Sequence, residues 1–178
     1  QKASLIFFAL QDYIGEDSVN AAFRRYNNQW KFKDAPYPTS ADLLKEIKKV
    51  TPDSSQSIIH DMFETITLFE NKTIEATYQE KGKDQFEVTL KVSAEKMRAD
   101  STGLESVIPI NDWIDVGIYG KNIAGKDSLI YLKKHKITQK ENTFTIAVKA
   151  KPRKAGIDPL HKLIDRHSDD NTKGLVKK

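Results

Sequence analysis

The hydrophobic residues of this chain change their period once, near Leu68, and that change constrains the fold more than any other feature. Between Ala3 and Ile66 they recur at the spacing of amphipathic helices, whereas after Leu68 they alternate with polar residues. Helices followed by strands, with no later helix, are typical of an α+β architecture. The sequence therefore predicts a helical block over residues 1–68, an antiparallel β-sandwich over 69–150 and a basic C-terminal tail over 151–178.

Four helices are predicted in the first block. The first is apolar almost all round, which indicates a helix enclosed by neighbours, and Gly15 ends it because glycine tolerates positive φ. Ser18 is the expected N-cap of the second helix, and Thr39 with Asp42 resembles a capping box that opens the third. Pro52 is expected at the first position of the fourth. The predicted helices cover residues 3–14, 19–30 and 41–50, followed by an apolar stripe that reaches Ile66.

The second block is predicted to contain short strands. Residues 73–78 and 86–93 alternate in polarity and form a predicted hairpin with a turn at Gly82. Regular spacing without intervening helices favours an antiparallel sandwich. Gly, Pro and paired Asp after Lys151 predict an irregular end. Further predicted strands cover residues 105–110, 113–119, 129–137 and 143–150, the last two joined by the polar turn TQKEN.

Composition excludes several classes of function. The chain has no Cys, which excludes disulfides, a thiol nucleophile and thiolate zinc sites. No apolar run reaches the ~18 residues that span a bilayer. Residues 121–178 carry 15 Lys and Arg against 6 Asp and Glu, within a net charge of +4 for the chain. A basic tail could meet nucleic acid or an anionic membrane surface, but we interpret these residues as a lysine-rich solvated surface. Nucleic acid is not an expected partner because no aromatic residue follows Phe144.

Few residues are arranged for chemistry. His60 and Glu64 stand four residues apart on one helical face, a spacing that can serve a metal, but a zinc site needs at least three protein ligands. We interpret them as an exposed ion pair. His161 and His167 could recruit a cation with nearby carboxylates, although a solvated tail is the preferred interpretation. Those carboxylates belong to Asp165, Asp169 and Asp170.

The remaining candidates also favour structural roles. His135 lies on a predicted strand among lysines that would repel a cation. The pair Asp169–Asp170 lacks the apolar pocket that would raise one pKa for acid catalysis. Trp30 and Trp113 are interpreted as core anchors. No catalytic, cofactor-binding or metal-ligating residue is therefore assigned, and no cofactor is expected in these residues.

The opening stretch, QKASLIFFALQDYIGEDSVNAAFRRY, resembles the helix that follows the catalytic tyrosine in zinc aminopeptidases of the aminopeptidase N family. Residues 2–4 match the family's small-residue segment, Gly15 and Glu16 match its turn, and Tyr26 matches the end of its second helix. The resemblance implies that the tyrosine would directly precede Gln1. It also implies that the H-E-x-x-H motif and its zinc would lie further upstream.

A closer resemblance is to a bacterial branch of that family whose peptidase domain is often fused to, or encoded with, an ABC-transporter permease. It is carried by the segments PYPTS…DLL, FETITLFE, MRAD, DWIDVGIYG and KAGIDPLHKLIDRHSDDN, in this order over nearly the whole chain. The resemblance implies a C-terminal fragment whose partner is the upstream catalytic domain of the same protein. The helical block would end that domain, the sandwich would be an accessory domain, and the zinc-containing parent would be membrane-associated.

Phe7 and Phe8 lie in the apolar first helix, and we expect an upstream domain to cover them. Left uncovered, they predict self-association through this helix or fraying of its first turn. One alternative is a free-standing β-sandwich that binds proteins at the cell surface, which a polar start to the first helix would favour. Another is a metal-dependent enzyme that uses His60 and Glu64, which stoichiometric zinc would favour. We expect no aminopeptidase activity from these residues alone.

Overall fold

The computed structural model describes residues 2–121 and 125–178, and this part of the chain divides into two compact units between Ile66 and Thr67. The first unit is helical and the second consists of β-sheets, so the α+β prediction is confirmed. The division lies two residues from the predicted boundary at 68. Within the described residues, no helix combines the length and apolar character needed to cross a membrane.

The helical unit contains four α-helices, as predicted. Glycine at position 15 separates the first two helices with a φ of 87°, and α2 begins directly after it. Ser18 therefore lies inside the first turn of α2, and its predicted role as N-cap is wrong. A 3₁₀ turn and a π turn flank the short fourth helix. The helices are α1 (Lys2–Ile14), α2 (Glu16–Trp30), α3 (Ser40–Val50) and α4 (Gln56–Ile59), with the 3₁₀ turn at Asp53–Ser55 and the π turn at His60–Glu64.

The predicted capping box at the start of α3 is confirmed. The backbone N–H of Thr39 donates to Asp42 Oδ2 at 2.8 Å, and Thr39 Oγ1 donates to the same oxygen at 2.9 Å. These bonds lower the pKa of Asp42, the backbone bond from Thr39 being the larger cause. The first turn of α3 is thus stabilised by contacts within four residues, which explains why it could be read from sequence.

The helical unit has its own hydrophobic core, and α1 packs into it. The ring of Phe7 lies 5.3 Å from that of Phe23 and 5.7 Å from that of Phe63, measured between centroids. Phe7 is thus partly covered within the helical unit itself. Phe8, in contrast, is 52% exposed. The buried members of this core are Ile6, Ala9, Leu10, Val19, Ala22, Ile47, Ile58, Ile59 and Met62.

The β unit forms two sheets around a second core. The first sheet has the order β3–β2–β1–β9, with β6 also paired to β2, and the second has the order β5–β4–β7–β8. The strands are β1 (Ile66–Gly82), β2 (Gln85–Ala99), β3 (Glu105–Ile108), β4 (Asp112–Lys121), β5 (Asp127–Ile137), β6 (Glu141–Val148), β7 (Pro152–Ile157), β8 (Thr172–Gly174) and β9 (Val176–Lys177).

Both sheets contribute side chains to one core. Val88 and Leu90 of β2 and Ile114 and Val116 of β4 belong to the same buried cluster. The TQKEN turn connects β5 to β6, but these strands pair with β4 and β2 respectively. The turn therefore carries the chain from one sheet to the other instead of closing a hairpin. β2 pairs antiparallel with β3 and β6, as do β4 with β5 and β7, and β7 with β8, whereas β1 and β9 run parallel.

The irregular tail predicted after Lys151 is wrong, because this part of the chain supplies strands to both sheets. β7 lies between β4 and β8 in the second sheet, and β9 adds to β1 in the first. Ala155 and Ile157 of β7 are fully buried in the core. These strands are short and largely polar in sequence, so the pattern along the chain does not reveal them.

Gly156 of β7 provides a test of this arrangement. A Cβ atom at this position would lie 2.0 Å from the carbonyl oxygen of Asn171 and 2.7 Å from Thr172 Cα, both backbone atoms. We expect Gly156→Ala to lower the unfolding free energy by about 2 kcal/mol or more, because the neighbouring backbone must move. Urea denaturation followed by circular dichroism measures the change. Gly82→Ala is the control, since its nearest neighbour is the flexible side chain of Gln85 at 3.7 Å.

Candidate functional site

A group of polar residues with many hydrogen bonds and ion pairs lies in residues 158–171, which we name the C-terminal clasp. The clasp leaves β7 of the second sheet, reaches β1 of the first and returns to the second sheet as β8. Asp158 begins it: Oδ1 accepts the backbone N–H of Lys162 at 2.9 Å, and Oδ2 accepts that of Leu163 at 3.0 Å. Burial raises the pKa of the Asp158 carboxyl, whereas these two backbone bonds lower it.

The clasp is fixed to the second sheet by a buried ion pair. Lys162 Nζ lies 2.7 Å from Asp115 Oδ2, and both side chains are almost fully buried. Lys134 of the neighbouring strand donates to both oxygens of Asp115 at 3.1 Å. One carboxylate on β4 is thus held by two ammonium groups. A buried carboxylate needs such partners because its removal from water is costly.

The clasp also packs closely against the face of β4 that carries Asp115. A Cβ atom on Gly117 would lie 2.6 Å from Pro159 Cγ, so glycine is required where the clasp crosses the strand. The hydroxyl of Tyr119 donates to the carbonyl oxygen of Pro159 at 3.1 Å. Residues 115, 117 and 119 of β4 therefore form the surface against which the clasp packs at its Asp-Pro turn, residues 158–159.

At its other end the clasp is bonded to β1. Asp165 Oδ2 accepts the backbone N–H of Asn71 at 2.9 Å, and the N–H of Phe69 donates to the carbonyl of Ile164 at 2.8 Å. The carbonyl oxygen of Asn171 accepts from Thr73 Oγ1 at 2.6 Å. With its side-chain nitrogen facing acceptors, the buried Asn171 also donates to the Asn71 carbonyl at 2.6 Å and to Asp165 at 3.1 Å.

Two ion pairs at the surface join the clasp to the same strand. His167 Nδ1 lies 3.0 Å from Glu70 Oε1, and Lys72 Nζ lies 3.0 Å from Asp170 Oδ2. The hydrogen bond to Glu70 raises the pKa of His167. Burial raises the pKa of Asp165, against the lowering effect of its two backbone hydrogen bonds. Several charges of the clasp are thus used in contacts within the β unit.

The structure does not bring the histidines and aspartates of the C-terminal residues together as a cation site. His161 is exposed, while His167 pairs with Glu70 and Asp170 pairs with Lys72. Among the residues that the structure describes, no group of three His, Asp or Glu side chains could hold a metal ion. Asp169 is exposed beside Asp170.

His60 and Glu64 form the exposed pair that their spacing predicts. His60 Nδ1 lies 3.0 Å from Glu64 Oε2, and Lys48 of α3 pairs with the other oxygen of Glu64. Lys48 is the larger cause of the lowered pKa of Glu64, and His60 is the second. Lys48 thus takes up the second oxygen of the glutamate.

His135 closes the edge of the sandwich between β5 and β6. Its Nε2 lies 2.8 Å from the hydroxyl of Tyr131, and its ring lies 4.6 Å from that of Phe144. Burial lowers the pKa of His135, and the charge of Lys133 lowers it further. The neutral imidazole therefore packs as part of an aromatic group at this edge.

The two tryptophans differ from the prediction. Trp113 lies on the outer face of β4, where it is 51% exposed and covered in part by the ammonium of Lys136, 5.6 Å from the ring centroid. Its interpretation as a core anchor is wrong, because β4 turns Ile114, not Trp113, toward the core. Trp30 is only partly buried at the end of α2, with Lys33 Nζ 5.6 Å from its ring.

The buried ion pairs are not evident from the sequence. Lys162 and Asp115 are 47 positions apart, and Lys96 pairs with Asp112 across 16 positions at 2.9 Å. One local signal existed for Asp115, which interrupts the apolar run of DWIDVGIYG. A charged residue at that place is equally typical of a solvated strand face, so it carries no prediction without its partner.

No protein-family model and no curated protein matches the chain. The site is therefore defined by its geometry: a segment that uses buried and exposed ion pairs to tie two sheets together. We therefore interpret the clasp as a structural element that holds the two sheets together.

The substitution Lys162→Met tests whether the clasp stabilises the β unit. The substitution removes one of two ammonium groups from a buried carboxylate, and we expect the unfolding free energy to fall by about 3 kcal/mol. Urea denaturation provides the measurement. Lys140→Met is the matched control, because Lys140 pairs with Glu95 at an exposed position, and its effect should stay within about 0.5 kcal/mol. Equal losses in the two variants would contradict the special role of Lys162.

His167 and His135 predict opposite effects of pH on stability. The pKa of His167 is raised on folding, so its contribution is complete below the unfolded value of about 6.5 and is lost as the pH rises through the raised pKa. The pKa of His135 is lowered, so its contribution is complete above about 6.5 and is lost as the pH falls through the lowered pKa.

Unfolding free energies at about pH 5.5, 7 and 8.5 separate these effects. His167→Gln should flatten the fall in stability toward alkaline pH, and His135→Gln should flatten the fall toward acidic pH. Each variant serves as the control for the other. The same change of pH profile in both variants would show that the paired contacts do not control the titrations.

Proposed function

We propose that this chain is the non-catalytic C-terminal part of an aminopeptidase N-like zinc metallopeptidase. In this proposal the helical unit supports the active-site domain of the parent protein, and the β unit is an accessory domain beside it. The parent would remove N-terminal residues from peptides and would associate with a membrane permease. Zinc and the catalytic tyrosine would belong to the upstream part.

The observation that supports this proposal is that the segments carrying the resemblance contact one another. DWIDVGIYG supplies Asp115 and KAGIDPLHKLIDRHSDDN supplies Lys162, which form the buried ion pair. FETITLFE supplies Glu70, which pairs with His167 of the last segment. Segments far apart in sequence but joined in one structure are expected of a family that preserves its fold, and these residues form contacts that hold the β unit together.

A second candidate function is a stand-alone binding module. The β unit favours it, because residues 67–178 form a compact unit with a hydrophobic core of their own. Such a unit can support binding without any catalytic domain, since a fold does not imply one function. The two candidates differ in what the upstream codons encode and in whether the β unit affects peptide hydrolysis.

The whole gene product tests the proposal. We expect a tyrosine codon directly before Gln1, an H-E-x-x-H motif further upstream and hydrolysis of aminoacyl anilides by the whole protein, but no hydrolysis by residues 1–178 alone. Deleting residues 67–178 should lower kcat/KM by up to about 100-fold, because small displacements of a catalytic group are costly in rate. Zinc content and kcat/KM provide the measurements.

His60→Gln in the whole protein is the control. Because His60 pairs with Glu64 at the surface, this substitution should leave zinc content and kcat/KM unchanged. A native gene that starts near Gln1 without a peptidase, or robust hydrolysis by the isolated chain, would overturn the proposal. Unchanged kinetics and unchanged membrane association after the deletion would refute the accessory role.

A further inference from the structure

The loop between α2 and α3 ends the helix with an unusual residue. Lys31 is the C-cap of α2, and the next residue, Phe32, adopts a left-handed φ of 58°. Glycine is the residue favoured there, because a Cβ atom is strained in this conformation. Glycine would therefore fit the backbone conformation at this helix end better, and phenylalanine brings no local advantage to the backbone there.

The side chain of Phe32 does not serve the fold either. It is 101% exposed, and Tyr37 of the same loop is 75% exposed. Two large aromatic residues without cover in one short loop are typical of a binding surface, since aromatic rings contribute strongly when they are buried by a partner. We name residues 31–37 the aromatic loop.

The charges around Phe32 indicate the chemistry of the partner. Lys31 and Lys33 flank it directly and are both exposed, and Asp34 is the single acidic residue in the loop. The order Lys-Phe-Lys places a basic residue on each side of one apolar ring in the sequence, and the Lys33 ammonium lies 5.6 Å from the centroid of the Trp30 ring. A surface that accepts this arrangement must offer an apolar layer beneath a negatively charged one.

We propose that the aromatic loop attaches the protein to the surface of an anionic lipid bilayer. Phe32 enters the boundary between headgroups and acyl chains, Tyr37 lies at headgroup depth and the two lysines contact lipid phosphates. A bilayer is favoured over a protein partner because a fully protruding ring needs a medium that yields around it, whereas a protein must present a matching pocket. The inference does not depend on the proposed peptidase function.

Sedimentation with vesicles tests the inference on the full chain. Vesicles of phosphatidylcholine with about 30% phosphatidylglycerol should bind the protein, vesicles of phosphatidylcholine alone should bind it weakly, and added salt should release it. Phe32→Gly should weaken binding to the anionic vesicles by about tenfold or more, because a phenylalanine side chain loses its burial in lipid. The double variant Lys31→Glu with Lys33→Glu should weaken it as well.

Two measurements keep the result specific. Phe32→Gly should keep or raise the thermal midpoint, since glycine relieves the left-handed strain, so lost binding will not reflect unfolding. Leu104→Ser is the matched control, because Leu104 is also exposed, at 73%, but lies in the β unit, and this variant should bind like the wild type.

Three outcomes overturn the inference. The first is no binding of the wild type to anionic vesicles. The second is binding that Phe32→Gly leaves unchanged, which would assign it to the lysine-rich residues after 120. The third is light scattering that shows self-association dependent on Phe32 without vesicle binding, which would assign the loop to a contact between copies of the chain.

Discussion

The β unit is held together by the ion pairs of one buried carboxylate, that of Asp115. Lys134 approaches it from the adjacent strand and Lys162 from the C-terminal clasp, so one charge joins a strand pair to a distant segment. Without both ammonium groups the carboxylate would be poorly compensated in a site that excludes water. The same clasp packs Pro159 against Gly117 and returns the chain to the second sheet as β8.

The clasp itself is not basic, because it contains two Lys and Arg residues against four aspartates. Lysines and carboxylates after residue 120 look in composition like a basic solvated surface, but several are used inside the β unit. Lys162 is buried, and His167 and Asp170 bind to β1. A basic balance in a sequence therefore need not describe a surface offered to a polyanion. In the proposed parent protein, the same contacts would make the accessory domain rigid without any direct part in catalysis.

In the helical unit, by contrast, the aromatic loop contains features that do not stabilise the fold. Local rules explain its other helix ends well: Gly15 takes the positive φ between two helices, and Asp42 caps α3. Phe32 breaks the same rule at the end of α2. Places where a sequence departs from local preference without a compensating contact are the places where function is expected.

The sequence by itself determined the change from helices to strands, most element positions, the capping box and the His60–Glu64 pair, since all of these depend on residues a few positions apart. Tertiary structure alone decided that β5 and β6 belong to different sheets, that the residues after 151 form strands, and that Trp113 faces outward while Asp115 is buried. The physical reason is that short strands and buried charges are stabilised by partners tens of residues away. No periodicity along the chain records where such partners meet.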